Sequence, residues 1–185
     1  MIRTTLLIAC TLPLIACGNS AKVDLHNATG NQVNEAVKQS GVMGGNGMIE
    51  PGLWQSKVTV QEMSIPGMPA QFAAKMKQSM AEHGNQSSSH CVTEADVKKP
   101  KEDFFGADKS CKYDHFSMGG GKIDIAMTCK QEESTQTTKL SGSYTPTTYT
   151  LDMASNGTGG ERGMGMVMKM HVDSQRVGEC TGKED

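Results

Sequence analysis

The chain has 185 residues, a formal net charge of −2 and only eight residues that are Phe, Trp or Tyr. That length is ordinary for one domain and sufficient for a real core. The near-neutral charge, with no basic stripe interleaved with aromatics, excludes a nucleic-acid partner.

Met1–Thr5 carries one positive charge, Arg3, and an uncharged apolar run of eleven residues, Leu6 to Ala16, follows. A basic start, a short apolar stretch and small residues before Cys17 describe a secretory signal. At about 1.5 Å per residue the run is too short to span a hydrocarbon core of about 30 Å. Leu14-Ile15-Ala16-Cys17 has the form of a lipobox, so residues 1–16 are expected to be removed and Cys17 to carry the lipid (diacylglycerol and palmitate-type chains). Gly18 after the lipidated residue points to the periplasmic face of the outer membrane, with the membrane reached only through the anchor. Residues 17–47 are polar and Gly-rich, and apart from a short helix over Asn31–Gln39 they read as a flexible tether. A single β-rich domain is expected over residues 48–182.

In that domain the pattern is mostly of period two. Trp54, Ser56, Val58 and Val60 share one side of a strand, opposite Gln55, Lys57, Thr59 and Gln61. Pro69, the repeat of Phe72, Met76 and Met80, and Gly84 then mark a helix from start to stop. A shorter helix over Glu94–Lys99, capped by Thr93, precedes Pro100. Ile123, Ile125, Met127 and Cys129 alternate with Lys122, Asp124, Ala126 and Thr128. Tyr149, Leu151 and Met153 alternate with Thr148, Thr150 and Asp152. A last strand sets Met164, Met166, Met168 and Met170 against Gly165, Val167, Lys169 and His171. Turn signals stand at Gly119–Gly121, Glu132–Thr135, Thr145–Thr147 and Asn156–Gly163. Together these predict a mainly β fold: a curved antiparallel meander or open barrel, lipocalin-like in outline, with one covering α-helix over 69–84.

Cys10 leaves with the signal and Cys17 is lipidated, so Cys91, Cys111, Cys129 and Cys180 remain, an even number that in an exported chain reads as two disulfides. Of the three pairings, Cys111–Cys129 is favoured because the two lie at mirror positions about Gly120, which leaves Cys91–Cys180. The spacing holds no Cys-x-x-Cys, which argues against a zinc ribbon or a thioredoxin-like redox site.

Several segments, in order and spacing, resemble an exported family known as domain of unknown function 3617. They are Pro51-Gly52-Leu53-Trp54, Ile65-Pro66-Gly67-Met68-Pro69, Cys91-Val92-Thr93-Glu94-Ala95-Asp96, Lys109-Ser110-Cys111 and Arg176-Val177-Gly178-Glu179-Cys180. The resemblance covers residues 48–182, with longer stretches than the family pattern at 69–84 and 98–109. It implies a small exported β domain and brings no catalytic residue with it.

Met164, Met166, Met168 and Met170 form the most distinctive chemical feature. Methionines fill irregular interiors, and Met76, Met80, Met127 and Met153 suggest a Met-rich core. A concavity lined by them under a mobile helix would take a small apolar ligand, and thioethers also suit Cu(I). Gly119-Gly120-Gly121-Lys122 lacks the P-loop spacing, and no Gly-x-Ser-x-Gly, paired-carboxylate or His-Glu-x-x-His pattern occurs. His90-Cys91 would be a nucleophile pair only with a free thiol. The reading is therefore a monomeric, non-enzymatic envelope module without cofactor or resident metal, with a Cu(I)-binding protein as the alternative and a hydrolase the least favoured.

Overall fold

The computed structural model describes residues 21–42, 48–84, 87–98, 110–159 and 165–182. Among them the chain runs β1 (Lys22–Thr29), α1 (Gly30–Ser40), β2 (Gly52–Ser64), α2 (Ala70–Gly84), β3 (Ser87–Val92), α3 (Glu94–Lys98), β4 (Cys111–Gly119), β5 (Lys122–Gln131), β6 (Ser134–Tyr144), β7 (Thr148–Thr158) and β8 (Met166–Gly178). The eight strands form one antiparallel sheet in the order β1-β4-β5-β6-β7-β8-β2-β3. The mainly β, antiparallel expectation holds, and the sheet is open rather than closed into a barrel.

β4 to β8 are the expected meander, each strand pairing antiparallel with the next. Cross-strand partners put matched side chains in rows across one face, because a strand's side chains alternate and paired residues point the same way. One row runs Val60, Met170, Met153, Leu140, Ile125, Phe116 and Leu25. The next runs Met63, Met168, Ser155, Thr138, Met127, Tyr113 and Ala28. This inner face carries the apolar set. Gly142 in β6 belongs to it for a steric reason: a Cβ there would lie 2.0 Å from the Thr150 carbonyl oxygen and 3.0 Å from Leu151 Cδ2.

The stretch expected as tether departs from that reading. Residues 22–29 form a strand that pairs with β4, and residues 30–40 form a helix. α1 extends the short helix expected over 31–39. It starts at a capping box, in which Gln32 N–H donates to Thr29 Oγ1 and Thr29 N–H donates back to Gln32 Oε1, and ends at Gly41 in the left-handed region. Val33 and Val37, four apart on one face, are buried with Val23, Ala28, Val42 and Met48 against Tyr113, Phe116, Met118, Ile123 and Ile125. The core thus sits at the β1-β4-β5 end of the sheet. The folded unit begins well before Met48, because the alternation of Val23 and Leu25 with Asp24 and His26 gives β1 an apolar face to bury. Cys17 and the lipobox lie outside the described residues. No helix among the described residues is long and apolar enough to cross a membrane.

The covering role also falls to a different helix. α1 packs on β1 and β4, whereas α2 packs chiefly on β2 and leaves Phe72 57% exposed. Met76 and Met80 of α2 are only half-buried. α3 forms where expected, with Asp96 N–H donating to Thr93 Oγ1 and Thr93 N–H donating to Asp96 Oδ2.

Both expected disulfides are present. Cys111 and Cys129 are directly opposite across β4 and β5, with Cα atoms 3.9 Å apart. Lys130 N–H donates to the Ser110 carbonyl next door, so the cysteines occupy a non-hydrogen-bonded pair, the type in which backbones approach most closely. Cys91 and Cys180, with Cα atoms 5.6 Å apart, tie edge strand β3 to the segment after β8.

Candidate functional site

The methionines divide the inner face in two. Around β1, β4 and β5 most inner side chains are buried, with Leu25 and Met127 half-buried; toward β7, β8 and β2 the cover thins. Met63, Met153, Met168 and Met170 are half-buried, as are Val58, Val60 and Val172, and Met166 is 39% exposed. Register places Met170 beside Met153 and Met168 beside Met63. Of the expected Met face, Met166, Met168 and Met170 therefore share one side as the alternation requires, while Met164 lies outside the described residues. Met63 joins them from β2, displaced into phase by the bulge between Val60 and Glu62.

Hydroxyl groups border this apolar strip. Thr138 and Ser155 are buried within hydrogen-bond distance of each other, and Gln136 Nε2 donates to Ser155 Oγ at 2.8 Å. On the other side buried Ser56 and Ser174 share a hydrogen bond of 2.7 Å, with the Tyr149 hydroxyl 3.4 Å from Ser56. Every buried polar side chain among the described residues has a partner, so none is left aimed at an absent ligand. An open groove of about 410 Å³, lined by Gln55, Lys57, Thr148, Tyr149, Asp173 and Ser174 among others, has no methionine in its lining.

The expected last strand reached only as far as His171. β8 instead continues to Gly178, which fixes His171 mid-strand on the outer face. There Nδ1 lies 2.6 Å from Asp152 and Nε2 3.2 Å from Asp173. The hydrogen bond to Asp152 is the main cause that raises its pKa above the ordinary 6.5; desolvation opposes it and Asp173 adds to it. His171 thus lies on the face opposite the methionines. Cys91 is disulfide-bonded, which removes the thiol that a His90-Cys91 pair would need. Register also sets His90 opposite Trp54 and Cys91 opposite Leu53, on alternate faces.

Three of the five segments that carried the family resemblance, those beginning at Pro51, Cys91 and Arg176, meet at one corner. Trp54 is opposite Arg176, and Leu53 is opposite both Gly178 and Cys91. Arg176 Nε donates to the Pro51 carbonyl at 2.7 Å, and its guanidinium pairs with Glu179. A Cβ on Gly52 would lie 2.5 Å from Arg176 Nε, so only glycine admits the guanidinium. Trp54 is fully buried, stacks on Tyr149 at 5.6 Å and donates its indole N–H to the Glu50 carbonyl. Each of these groups is occupied in holding β2 to β8 and β3. The corner is a structural clasp.

One further cluster was not anticipated from the sequence. Asp24, His26 and His115 converge on the outer face of β1 and β4, their ligand atoms within 4.8 Å of one another. The signal was present as Asp24-x-His26 on the polar side of an alternating stretch, but that stretch read as tether.

Fold and site together define a disulfide-stapled, single-sheet antiparallel β protein with a half-covered Met-lined face. The chain belongs to the family described as protein of unknown function (DUF3617), whose sequence profile matches residues 49–180. Neither the curated proteins nor the solved structures contain a match to it.

Proposed function

We propose that this chain is a non-enzymatic envelope module, anchored by lipid on Cys17 and facing the periplasm, that takes a small apolar molecule on its methionine face. The observation that carries the ligand reading is the unequal cover of one continuous apolar surface: mostly buried under α1, thin over Met63, Met153, Met168 and Met170. Apolar area left to water at the inner face of a sheet favours any molecule that covers it, by about 25 cal/mol per Å². The unbranched thioether side chains adapt to varied apolar shapes. Phe72 on α2, already exposed, is available as a movable part of that cover. The lipobox and the two disulfides support an oxidising, extracytoplasmic setting.

The register also favours a second reading, Cu(I) held by the thioethers of Met63, Met153, Met168 and Met170. Two sets of variants separate the readings. Displacement of an apolar fluorescent probe by fatty acid should persist in Met168→Leu/Met170→Leu and fail in Met168→Glu/Met170→Glu. Cu(I) uptake, measured by competition with a chromogenic chelator, should fail in both. Absence of saturable probe binding to the wild type would refute the apolar-ligand reading.

A further inference from the structure

We propose that Asp24, His26 and His115 form a surface site for a divalent first-row transition ion of the Zn²⁺ or Cu²⁺ kind, at the β1 edge of the sheet and remote from the methionine face.

Strand geometry builds the triad. Asp24 and His26 are two apart on β1 and so share a face, and His26 is directly opposite His115 on β4. The register shift between Tyr113 and His115 relative to β5 lets Tyr113 and Phe116 both enter the core while His115 remains outside. The two imidazoles stack at 4.8 Å, nearly parallel at 12°, and both turn Nε2 toward the same carboxylate oxygen. Asp24 Oδ1 lies 3.5 Å from His26 Nε2 and 3.8 Å from His115 Nε2.

These separations fit a shared ion. Zn–N bonds of about 2.0–2.1 Å at a tetrahedral centre put ligand atoms about 3.3–3.5 Å apart. The two carboxylate distances are close to this, while the ligand atoms as a set, within 4.8 Å of one another, require the imidazoles to tilt and close by up to about 1.4 Å, which the His26 side chain, 67% exposed and free of the core, can do. The ligand types agree as well, since two imidazoles and a carboxylate are the donors Zn²⁺ and Cu²⁺ accept. His115 has the further feature of metal-binding histidines that the second ring nitrogen meets a carboxylate: Nδ1 lies 3.7 Å from Asp124 Oδ1 on β5. The Lys22 ammonium pairs with Asp24 Oδ2 at 3.1 Å, which leaves Oδ1 to the ion, and Lys22 is itself 60% exposed and able to swing away. Three protein ligands at an open edge leave coordination positions to water or to a donor from a partner.

The test uses the full, untagged chain with its disulfides intact, stripped with a chelator and titrated calorimetrically with Zn²⁺ and then Cu²⁺. One equivalent should bind, and Asp24→Asn or His115→Asn should each weaken binding about 10-fold or more. His26→Asn/His115→Asn should abolish it while the circular dichroism spectrum and melting curve stay unchanged, since both side chains lie outside the core. Met168→Leu/Met170→Leu should leave it intact. Paramagnetic Cu²⁺ should broaden NMR signals of residues 24, 26 and 115 before any others. Absence of a stoichiometric site, or uptake that survives the double histidine variant, would overturn the assignment.

Discussion

Replacing Val33 by Ala asks directly whether residues 22–42 are core or tether. Val33 is fully buried on α1, between the helix and the β1-β4 end of the sheet. The substitution removes two methyl groups, worth about 0.8 kcal/mol each by transfer. A residual cavity of about 50 Å³, at about 24 cal/mol per Å³, adds about 1 kcal/mol. The expected destabilisation is therefore about 2–3 kcal/mol, which for a urea slope of about 2–3 kcal/mol/M moves the unfolding midpoint down by about 1 M. Gln39→Ala, on the exposed side of the same helix, should stay within about 0.5 kcal/mol of the wild type. Equilibrium urea unfolding followed by Trp54 fluorescence reads both, and the buried, single tryptophan makes that signal specific to the sheet. If Val33→Ala left the midpoint where it was, the first forty residues would be dispensable to the domain and the placement of its core would be wrong.

The two disulfides should differ in worth. Cys91–Cys180 spans 89 positions and Cys111–Cys129 spans 18. Loop-closure entropy makes these about 4–5 and about 3 kcal/mol, so replacing the first pair by Ala should lower stability more in the same urea assay, and the reverse order would contradict this account. His171 should confer pH dependence. Its folded pKa is raised above 6.5 by Asp152 and Asp173, so its stabilising contribution is fully present below the unfolded value and is lost as pH rises through the folded one. The stability gap between wild type and His171→Gln should thus shrink with rising pH, and a gap that widened would refute the pairing. Phe72→Ser should leave stability within about 0.5 kcal/mol because the ring is exposed, yet weaken capture of the apolar probe if α2 contributes to the cover.

Much of the sheet was legible as period two. β2, β5, β7 and β8 have enough apolar residues on one side to declare their faces, and the mirror spacing about Gly120 gave the Cys111–Cys129 bridge. β6 carried less signal, since its inner residues are Thr138, Leu140, Gly142 and Tyr144, and hydroxyls and glycine do not register as an apolar face. β1 was hidden by its neighbourhood: the Gly-rich run at 41–47 dominated the reading of residues 18–48, although Val23 and Leu25 alternate with Asp24 and His26. That omission also concealed the cluster of Asp24, His26 and His115, because His26 meets His115 only through a pairing between segments 89 residues apart. α2 showed the opposite failure. Its start, stop and apolar repeat were all readable, but periodicity reports which side of a helix is apolar and not what that side will find.

The width of the sheet explains why half its inner face is left open. Eight strands spaced about 4.8 Å apart measure about 34 Å from edge to edge. α1, with 11 residues at about 1.5 Å each, is about 16 Å long and can roof three or four strands at most. It does so at the β1-β4-β5 end, where the buried core is concentrated. α2 has 15 residues and, at about 22 Å, is long enough to roof the remainder. Yet it packs chiefly on β2 and points its largest apolar side chain, Phe72, to solvent. The sequence thus encodes two helices of about the combined length the sheet requires and uses one of them as a roof. A protein selected only for a sealed core would have little reason to leave Met153, Met168 and Met170 under so thin a cover, with an amphipathic helix spent beside them. Under the proposed function, the small apolar molecule would lie over this half, against Met153, Met168 and Met170, which the described helices leave half-buried.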